Sequence, residues 1–151
     1  MLTRFVSIRD RAVSGLGKAS AVPPLVVRLT LAGVFVQSGW GKLHDIPRVV
    51  GFFTSLHLPW PEFQAYLVAV TEFVGGLLVL LGLGTRLASI PLAITMVVAI
   101  ATAKWSDVHE MTDVFALSEY LYILLFLWLI QAGAGAVSLD HWILNRFKRG
   151  R

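Results

Sequence analysis

Four long apolar runs alternate with short polar segments along the chain. The runs occupy residues 24–42, 63–84, 87–103 and 114–136. They are 17 to 23 residues long, and a helix needs about 20 mostly apolar residues to cross the hydrocarbon core of a bilayer. Most of the charged side chains fall between the runs. The pattern predicts an all-α integral membrane protein, a four-helix bundle that forms a single domain over residues 1–151.

The two ends of the chain have a pattern that suits the membrane surface. Residues 2–20 mix basic and apolar side chains, and residues 138–151 combine Trp142 and Ile143 with a basic C-terminal end. Helices with a basic polar face and an aromatic or aliphatic opposite face lie in the interfacial region of a bilayer. We therefore expect two interfacial segments, and we expect Ser138 to cap the second one.

The placement of Lys and Arg predicts the orientation in the membrane. Nine of these residues lie in the two terminal segments and the loop at Arg86, whereas Lys42, Arg48 and Lys104 lie on the other side. Cytoplasmic segments carry the excess of positive charge, so both termini are predicted to be cytoplasmic. The longer outer segment, residues 45–62, is rich in apolar side chains. It is predicted to form a short helix that either packs on the mouth of the bundle or lies in the membrane interface.

Composition supports the membrane interpretation and narrows the chemistry. The chain is 56% hydrophobic and 15% charged, whereas a soluble domain has about a quarter of its residues charged. It has no cysteine, which excludes dithiol chemistry and thiolate-bound metal clusters by this chain alone. The basic residues flank the spans, so no nucleic-acid partner is expected.

Ionisable residues in and beside the spans are the strongest candidates for a functional site. Arg28, Glu72 and Glu119 lie within the predicted spans, and Lys42 lies at the outer end of the first. Each such group costs about 2.5–3.5 kcal/mol at the centre of a bilayer, so it should face the bundle interior. We predict the pairs Arg28–Glu72 and Lys42–Glu119. These groups either line a polar site, such as a proton relay, a quinone headgroup site or a small-molecule pocket, or only fix the helix packing.

Uncharged polar residues and histidines provide secondary candidates. Gln37 and Gln131 are expected mainly to form hydrogen bonds between helices. His44, His57 and His109 fall in the outer segments near acidic residues, and imidazole with carboxylate can bind zinc or copper. The spacing of these histidines matches no recognised ligand pattern, and solvated loop histidines are the more common case.

No catalytic motif is visible in the sequence. A Walker motif, a dinucleotide-binding fingerprint, HExxH and G-x-S-x-G are all missing from it. Whether the chain has any enzymatic activity is therefore left open.

Two motifs resemble a known family. The first span carries Arg28, Gly33, Phe35, Gly39 and Lys42, and the second carries Glu72, Gly75-Gly76 and then L-L-G-L-G-T-R ending at Arg86. Together with the span layout they resemble the DoxX family of small four-helix bacterial membrane proteins over about residues 24–136. The positions that follow the family pattern are Arg28, Gly39, Lys42, Glu72, Gly75, Gly76, Gly82 and Arg86.

The resemblance implies a location in the bacterial inner membrane and a link to redox or oxidative-stress complexes. The family is named after a subunit associated with thiosulfate:quinone oxidoreductase. The segment 131–140 is similar to a subgroup encoded beside copper-stress genes.

Three functional hypotheses follow from the residues and the resemblance. The first is a membrane subunit that anchors or organises a redox or stress-response complex, with a copper-related complex as one candidate. Alternatively, the chain is a quinone-linked oxidoreductase subunit whose headgroup site is lined by Arg28, Lys42, Glu72 and Glu119. A third hypothesis is a transporter of small molecules or metal ions. The expected partners are the lipid bilayer and another protein or a second copy of the chain, with quinone or a metal ion as candidate ligands.

Overall fold

Helices make up nearly all of the structure, a computed structural model that describes residues 21–105 and 108–149. No strand occurs in this part of the chain, and the all-α class is confirmed. The interfacial helix predicted for residues 2–20 lies outside the described residues. The helices are α1 (Val22–His44), α2 (Ile46–Ser55), α3 (Pro61–Leu81), α4 (Thr85–Ala99, continued by a π-helical turn, Ile100–Lys104), α5 (Met111–Ala116), α6 (Ser118–Ala132) and α7 (Leu139–Arg149).

Among the described residues, three helices are long and apolar enough to cross a membrane: α1, α3, and α4 together with its π-helical turn. The predicted fourth span, residues 114–136, is not one continuous helix. Leu117 is extended and separates α5 from α6, and α6 ends where Gly133 adopts a φ of 80°. The 15 residues of α6 rise about 22 Å, which is less than the roughly 30 Å of a bilayer core. After α6 the chain continues without helical structure through residues 133–138, up to the start of α7.

The helices alternate in direction, so the bundle has two distinct ends. α1 packs mainly on α3, α4 packs mainly on α6, and α3 and α4 are joined by a tight turn. We call the end with the α3–α4 turn and the start of α7 the Arg28 end, and the end with α2 and the start of α6 the Lys42 end. Between them lies an apolar core that includes Leu31, Phe35, Val79, Leu92, Phe126 and Leu129.

The α3–α4 turn depends on glycine and holds the C-terminal helix. Gly82 ends α3 with a φ of 68°, and Leu83 N–H donates to the Leu78 carbonyl at 2.9 Å, a Schellman arrangement. Asp140 ties α7 to this turn: its N–H donates to the Gly82 carbonyl at 3.0 Å, and its carboxylate accepts from Gly84 N–H at 2.9 Å. The predicted cap is confirmed, because Ser138 Oγ accepts from the N–H of the third residue of α7 at 3.2 Å.

Two glycines let the backbones of α1 and α3 touch. A Cβ on Gly39 would lie 2.7 Å from Phe73 Cα and 2.9 Å from the Ala69 carbonyl oxygen. A Cβ on Gly76 would lie 2.9 Å from the backbone nitrogen of Val36. Small residues allow this close packing of membrane helices. The contact at Gly39 sets the depth at which the next turn of α1 meets α3.

Gly39→Ala should therefore destabilise the protein more than Gly33→Ala, a matched change on the same helix. The added methyl at Gly39 must push the α3 backbone away, and overpacking of this kind costs about 1–3 kcal/mol. At Gly33 nothing lies within 4 Å of the added atom, so alanine should be neutral or slightly stabilising there. The measurement is the thermal unfolding midpoint of both variants in detergent. Equal midpoints for the two variants would show that the close contact does not hold the bundle.

Candidate functional site

A buried ion pair joins α1 to α3 near the Lys42 end. The ammonium of Lys42 binds the carboxylate of Glu72 and donates to Ser38 Oγ at 2.7 Å. Glu72 is 3% exposed, as the cost of a charged group facing lipid predicted, and 27% of the Lys42 side chain is accessible. A carboxylate at this depth needs a cation and hydrogen bonds to offset the loss of water. The pair supplies both.

The predicted pairs Arg28–Glu72 and Lys42–Glu119 are wrong. Phe73, the residue after Glu72, contacts Gly39, and Lys42 follows Gly39 by three residues on α1. The helix contact therefore places Lys42 at the depth of Glu72. Counting residues along each span could not fix the relative depth of two helices.

A cavity of about 720 Å³ opens beside this ion pair. It is lined by α1, α2, α3, α4 with its π-helical turn, and α6, and most of its wall is apolar. Ligand sites commonly have volumes of about 300–1,000 Å³, apolar walls and a few polar groups. The charged residues that line the cavity are Lys42, Asp45, Arg48, Glu72 and Glu119.

The short helix α2 forms one wall, as expected for an apolar segment at the mouth of the bundle. Asp45 caps it, since its carboxylate accepts from Arg48 N–H at 3.2 Å. The apolar side of α2 contributes Val49, Phe52 and Phe53 to the cavity. The charged groups of Asp45 and Arg48 thereby come to the cavity rim, although the sequence analysis did not single out either as a site residue. The sequence Asp-Ile-Pro could have indicated that a helix begins at this point, because a capping residue is followed by a proline in the first turn.

Helix α6 forms the opposite part of the lining with Glu119 and Tyr122. The ring of Tyr122 packs edge-on against Phe35, with centroids 5.7 Å apart. Glu119 accepts a hydrogen bond from Ser118 Oγ at 3.1 Å. No cation in residues 21–105 or 108–146 lies within salt-bridge distance of its carboxylate.

The cavity ends in the apolar core. Phe35 and Met96 both line the cavity and belong to the core cluster, which continues towards the Arg28 end through Leu31, Leu92 and Leu129. Because these side chains fill the middle of the bundle, the arrangement is a pocket open at one end. It does not resemble a continuous polar pathway.

Arg28 lies at the other end and is separate from the cavity. Its Nε donates to the Val79 carbonyl at 2.8 Å and Nη2 to that of Leu80 at 2.6 Å. Its Nη1 donates to the carbonyls of Ala134 at 3.0 Å and Val137 at 2.6 Å. The guanidinium thus satisfies carbonyls at the end of α3 and in the non-helical segment that follows α6. Such backbone is tolerated at membrane depth only where the protein satisfies it.

The secondary candidates fall in different places. Gln37 lines the cavity. Gln131 is exposed at the end of α6, where its backbone carbonyl accepts from Arg86 Nη2 at 3.1 Å. Arg86 therefore caps a helix end, as Arg28 does, and neither residue contributes to the cavity. Ser38, which the sequence analysis missed, lies four residues before Lys42 and so on the same helix face.

The three candidate metal-binding histidines do not come together. Among the described residues, no group of three His, Asp or Glu side chains is placed to share a metal ion. His44 lies at the end of α1, His57 lies in the turn after α2 with a φ of 56°, and His109 lies in the segment before α5.

Asp113 has a local structural role at the start of α5. The backbone N–H groups of Glu110 and His109 donate to its carboxylate at 2.9 and 2.8 Å, and they hold the pKa of Asp113 below its usual range. With Glu110 it forms a capping box. This cap begins α5 as a separate helix outside the cavity and helps explain why residues 114–136 are not one continuous helix.

The Lys42–Glu72 pair should show strong coupling in a double-mutant cycle. Lys42→Met or Glu72→Leu alone leaves one charge without its partner, whereas the double variant removes both. We expect the double variant to be more stable than the sum of the two losses implies, with a coupling of at least about 1 kcal/mol. The measurement is chemical denaturation in detergent. A parallel cycle on Lys42 and Glu119 should give a smaller coupling, and additive losses at Lys42 and Glu72 would contradict the pairing.

Comparison with known proteins adds three relatives. The chain is 30% identical to "Putative oxidoreductase CatD" of Bacillus subtilis (strain 168), over 89% of this chain and 97% of that protein. It is 36% identical to "Uncharacterized membrane protein Rv3486" of Mycobacterium tuberculosis, over 82% of this chain and 84% of the relative. It is 26% identical to "Inner membrane protein YphA" of Escherichia coli (strain K12), over 82% of this chain and 92% of that protein.

A family-level comparison agrees with these relatives. No solved structure matches the chain. The DoxX family profile matches residues 24–105, which run from the first turn of α1 to the end of α4 with its π-helical turn and include the Lys42–Glu72 pair. The chain is a membrane protein and belongs to the DoxX family.

Proposed function

We propose that this protein is a membrane subunit of a redox system and that it binds a quinone in the cavity at the Lys42 end. The observation that carries the proposal is a cavity of about 720 Å³ with mostly apolar walls and an ion pair in its lining. A quinone has an apolar ring and two carbonyl oxygens. Its ring suits the apolar walls, and its oxygens need hydrogen-bond donors that water no longer supplies.

The polar groups of the cavity suit a neutral ligand that accepts hydrogen bonds. The ammonium of Lys42 has three N–H groups. Two of these serve Glu72 and Ser38. The third is available to a ligand oxygen, since Lys42 lines the cavity and is partly accessible. Gln37 adds an amide donor to the same lining.

The name of one relative supports redox chemistry as the class of function. The relative from Bacillus subtilis carries the name "Putative oxidoreductase CatD", and it aligns with 89% of this chain. Because this chain has no cysteine, we propose that a partner protein supplies the electron-transfer group and that this subunit supplies the quinone site. We also propose the bacterial inner membrane as its location, with both termini in the cytoplasm. In that orientation the cavity opens on the outer side.

Filling the cavity should weaken quinone binding strongly without unfolding the protein. Gly41 and Gly33 are both on α1, and a Cβ on either would meet nothing within 4 Å, but only Gly41 lines the cavity. Gly41→Phe should weaken binding of a short-chain benzoquinone at least about tenfold, a change of about 1.4 kcal/mol, because the new ring occupies ligand space. Gly33→Phe should bind like the unmodified protein. Calorimetric titration in detergent measures both affinities.

The paired variants separate binding in the cavity from partition into the detergent. Both add the same ring to the same helix, so a non-specific effect would change the two equally. Equal affinities of Gly41→Phe, Gly33→Phe and the unmodified protein, with all three folded by circular dichroism, would rule out the cavity as the quinone site.

A further inference from the structure

We propose that Glu119 recognises a ligand hydroxyl, so that the cavity binds the reduced, dihydroxy form of a quinone more tightly than the oxidised form. This inference rests on the proposed function, because it assigns the two polar ends of the same ligand to two named side chains. Lys42 donates to one oxygen, and Glu119 accepts from the other. Glu119 is then the residue that determines redox-state specificity.

The carboxylate of Glu119 is uncompensated within the cavity lining. Glu72 has Lys42 as a partner, and Asp45 accepts from the backbone at the start of α2. Glu119 accepts only from its neighbour Ser118 at 3.1 Å, and the described residues place no cation within salt-bridge distance of it. An ionised carboxylate is an acceptor with about four lone-pair positions. Glu119 therefore has acceptor capacity left for a ligand donor.

The charge of the lining argues against an anionic ligand. Lys42 and Arg48 contribute two positive charges, whereas Asp45, Glu72 and Glu119 contribute three negative ones, so the lining carries a net charge of −1. Like charges that lose water repel strongly in a medium of low dielectric constant. A neutral ligand avoids this repulsion, and the free carboxylate favours one that brings a proton donor.

The two redox forms of a quinone differ in this respect. The oxidised form has two carbonyl acceptors and no donor, so it can accept from Lys42 but leaves Glu119 without a partner. The reduced form has two hydroxyl groups, and each can both donate and accept. One hydroxyl can accept from Lys42 while the other donates to Glu119. A hydrogen bond to an ionised carboxylate is roughly twice as strong as one between neutral groups.

The edge-on pair of Phe35 and Tyr122 adds an aromatic surface to the same part of the cavity. Both residues line it, and Tyr122 follows Glu119 by three residues on α6, which places the two on the same helix face. A ligand ring held against this surface has its polar substituents near Glu119. The helix α6 thus brings the apolar and the polar part of the site together.

The test compares three probes: a short-chain hydroquinone, its quinone, and its dimethyl ether, which keeps the ring and loses both donors. Affinities are measured anaerobically by calorimetric titration in detergent at neutral pH. The unmodified protein should bind the hydroquinone at least about tenfold more tightly than the quinone or the ether. Glu119→Gln should lose this preference, because its amide presents donors as well as an acceptor. The affinity of the Glu119→Gln variant for the quinone should stay the same or rise.

Glu62→Gln is the matched control, because Glu62 is exposed at the start of α3 and does not line the cavity. It should keep the preference for the hydroquinone. If the unmodified protein binds both redox forms equally, or if Glu119→Gln retains the preference, the role of Glu119 is overturned while the cavity remains a quinone site. If none of the probes binds, or if binding is unaffected by Gly41→Phe, both the proposed function and the role of Glu119 are overturned.

Discussion

The carboxylate of Glu72 is the constraint on which the rest of the structure depends. An acidic group in the middle of a membrane helix is stable only beside a cation with matching depth and geometry. Lys42 meets that requirement because Gly39 and Gly76 let the backbones of α1 and α3 touch. The glycine contacts set the relative depth of the two helices, and the ion pair then holds them at that depth. It also leaves one Lys42 proton at the wall of the cavity.

The two ends of the bundle use charge for different purposes. At the Arg28 end, one guanidinium satisfies four carbonyls and holds the non-helical segment after α6 against the end of α3. Four of the five N–H groups of Arg28 thus donate to backbone carbonyls of the protein. At the Lys42 end, charged groups line an open cavity, and Glu119 keeps acceptor capacity. A sealed end and an open end are what a one-sided binding site requires.

Much of the fold was predictable because membrane insertion imposes simple rules on sequence. Apolar length identified three spans, the cost of a charge in the bilayer predicted that Glu72 is buried, and Ser138 was recognised as a cap. The pairing of charges was not predictable, since it depends on the relative depth of α1 and α3. The interruption at Leu117 was missed because no proline or glycine marks it in the sequence. The apolar pattern predicted α2 at the bundle mouth, but the cavity beside it depends on how α2, α4 and α6 pack around the Lys42–Glu72 pair, which no local pattern encodes.

The central claim is that the cavity holds a quinone in the native membrane. The most direct test is mass spectrometry of the intact protein after gentle extraction from its own membrane, with identification of the small molecules that remain bound. The account predicts one neutral quinone-class molecule per chain. An anionic lipid retained in stoichiometric amount, or a chain that carries a protein partner and no small molecule, would contradict it.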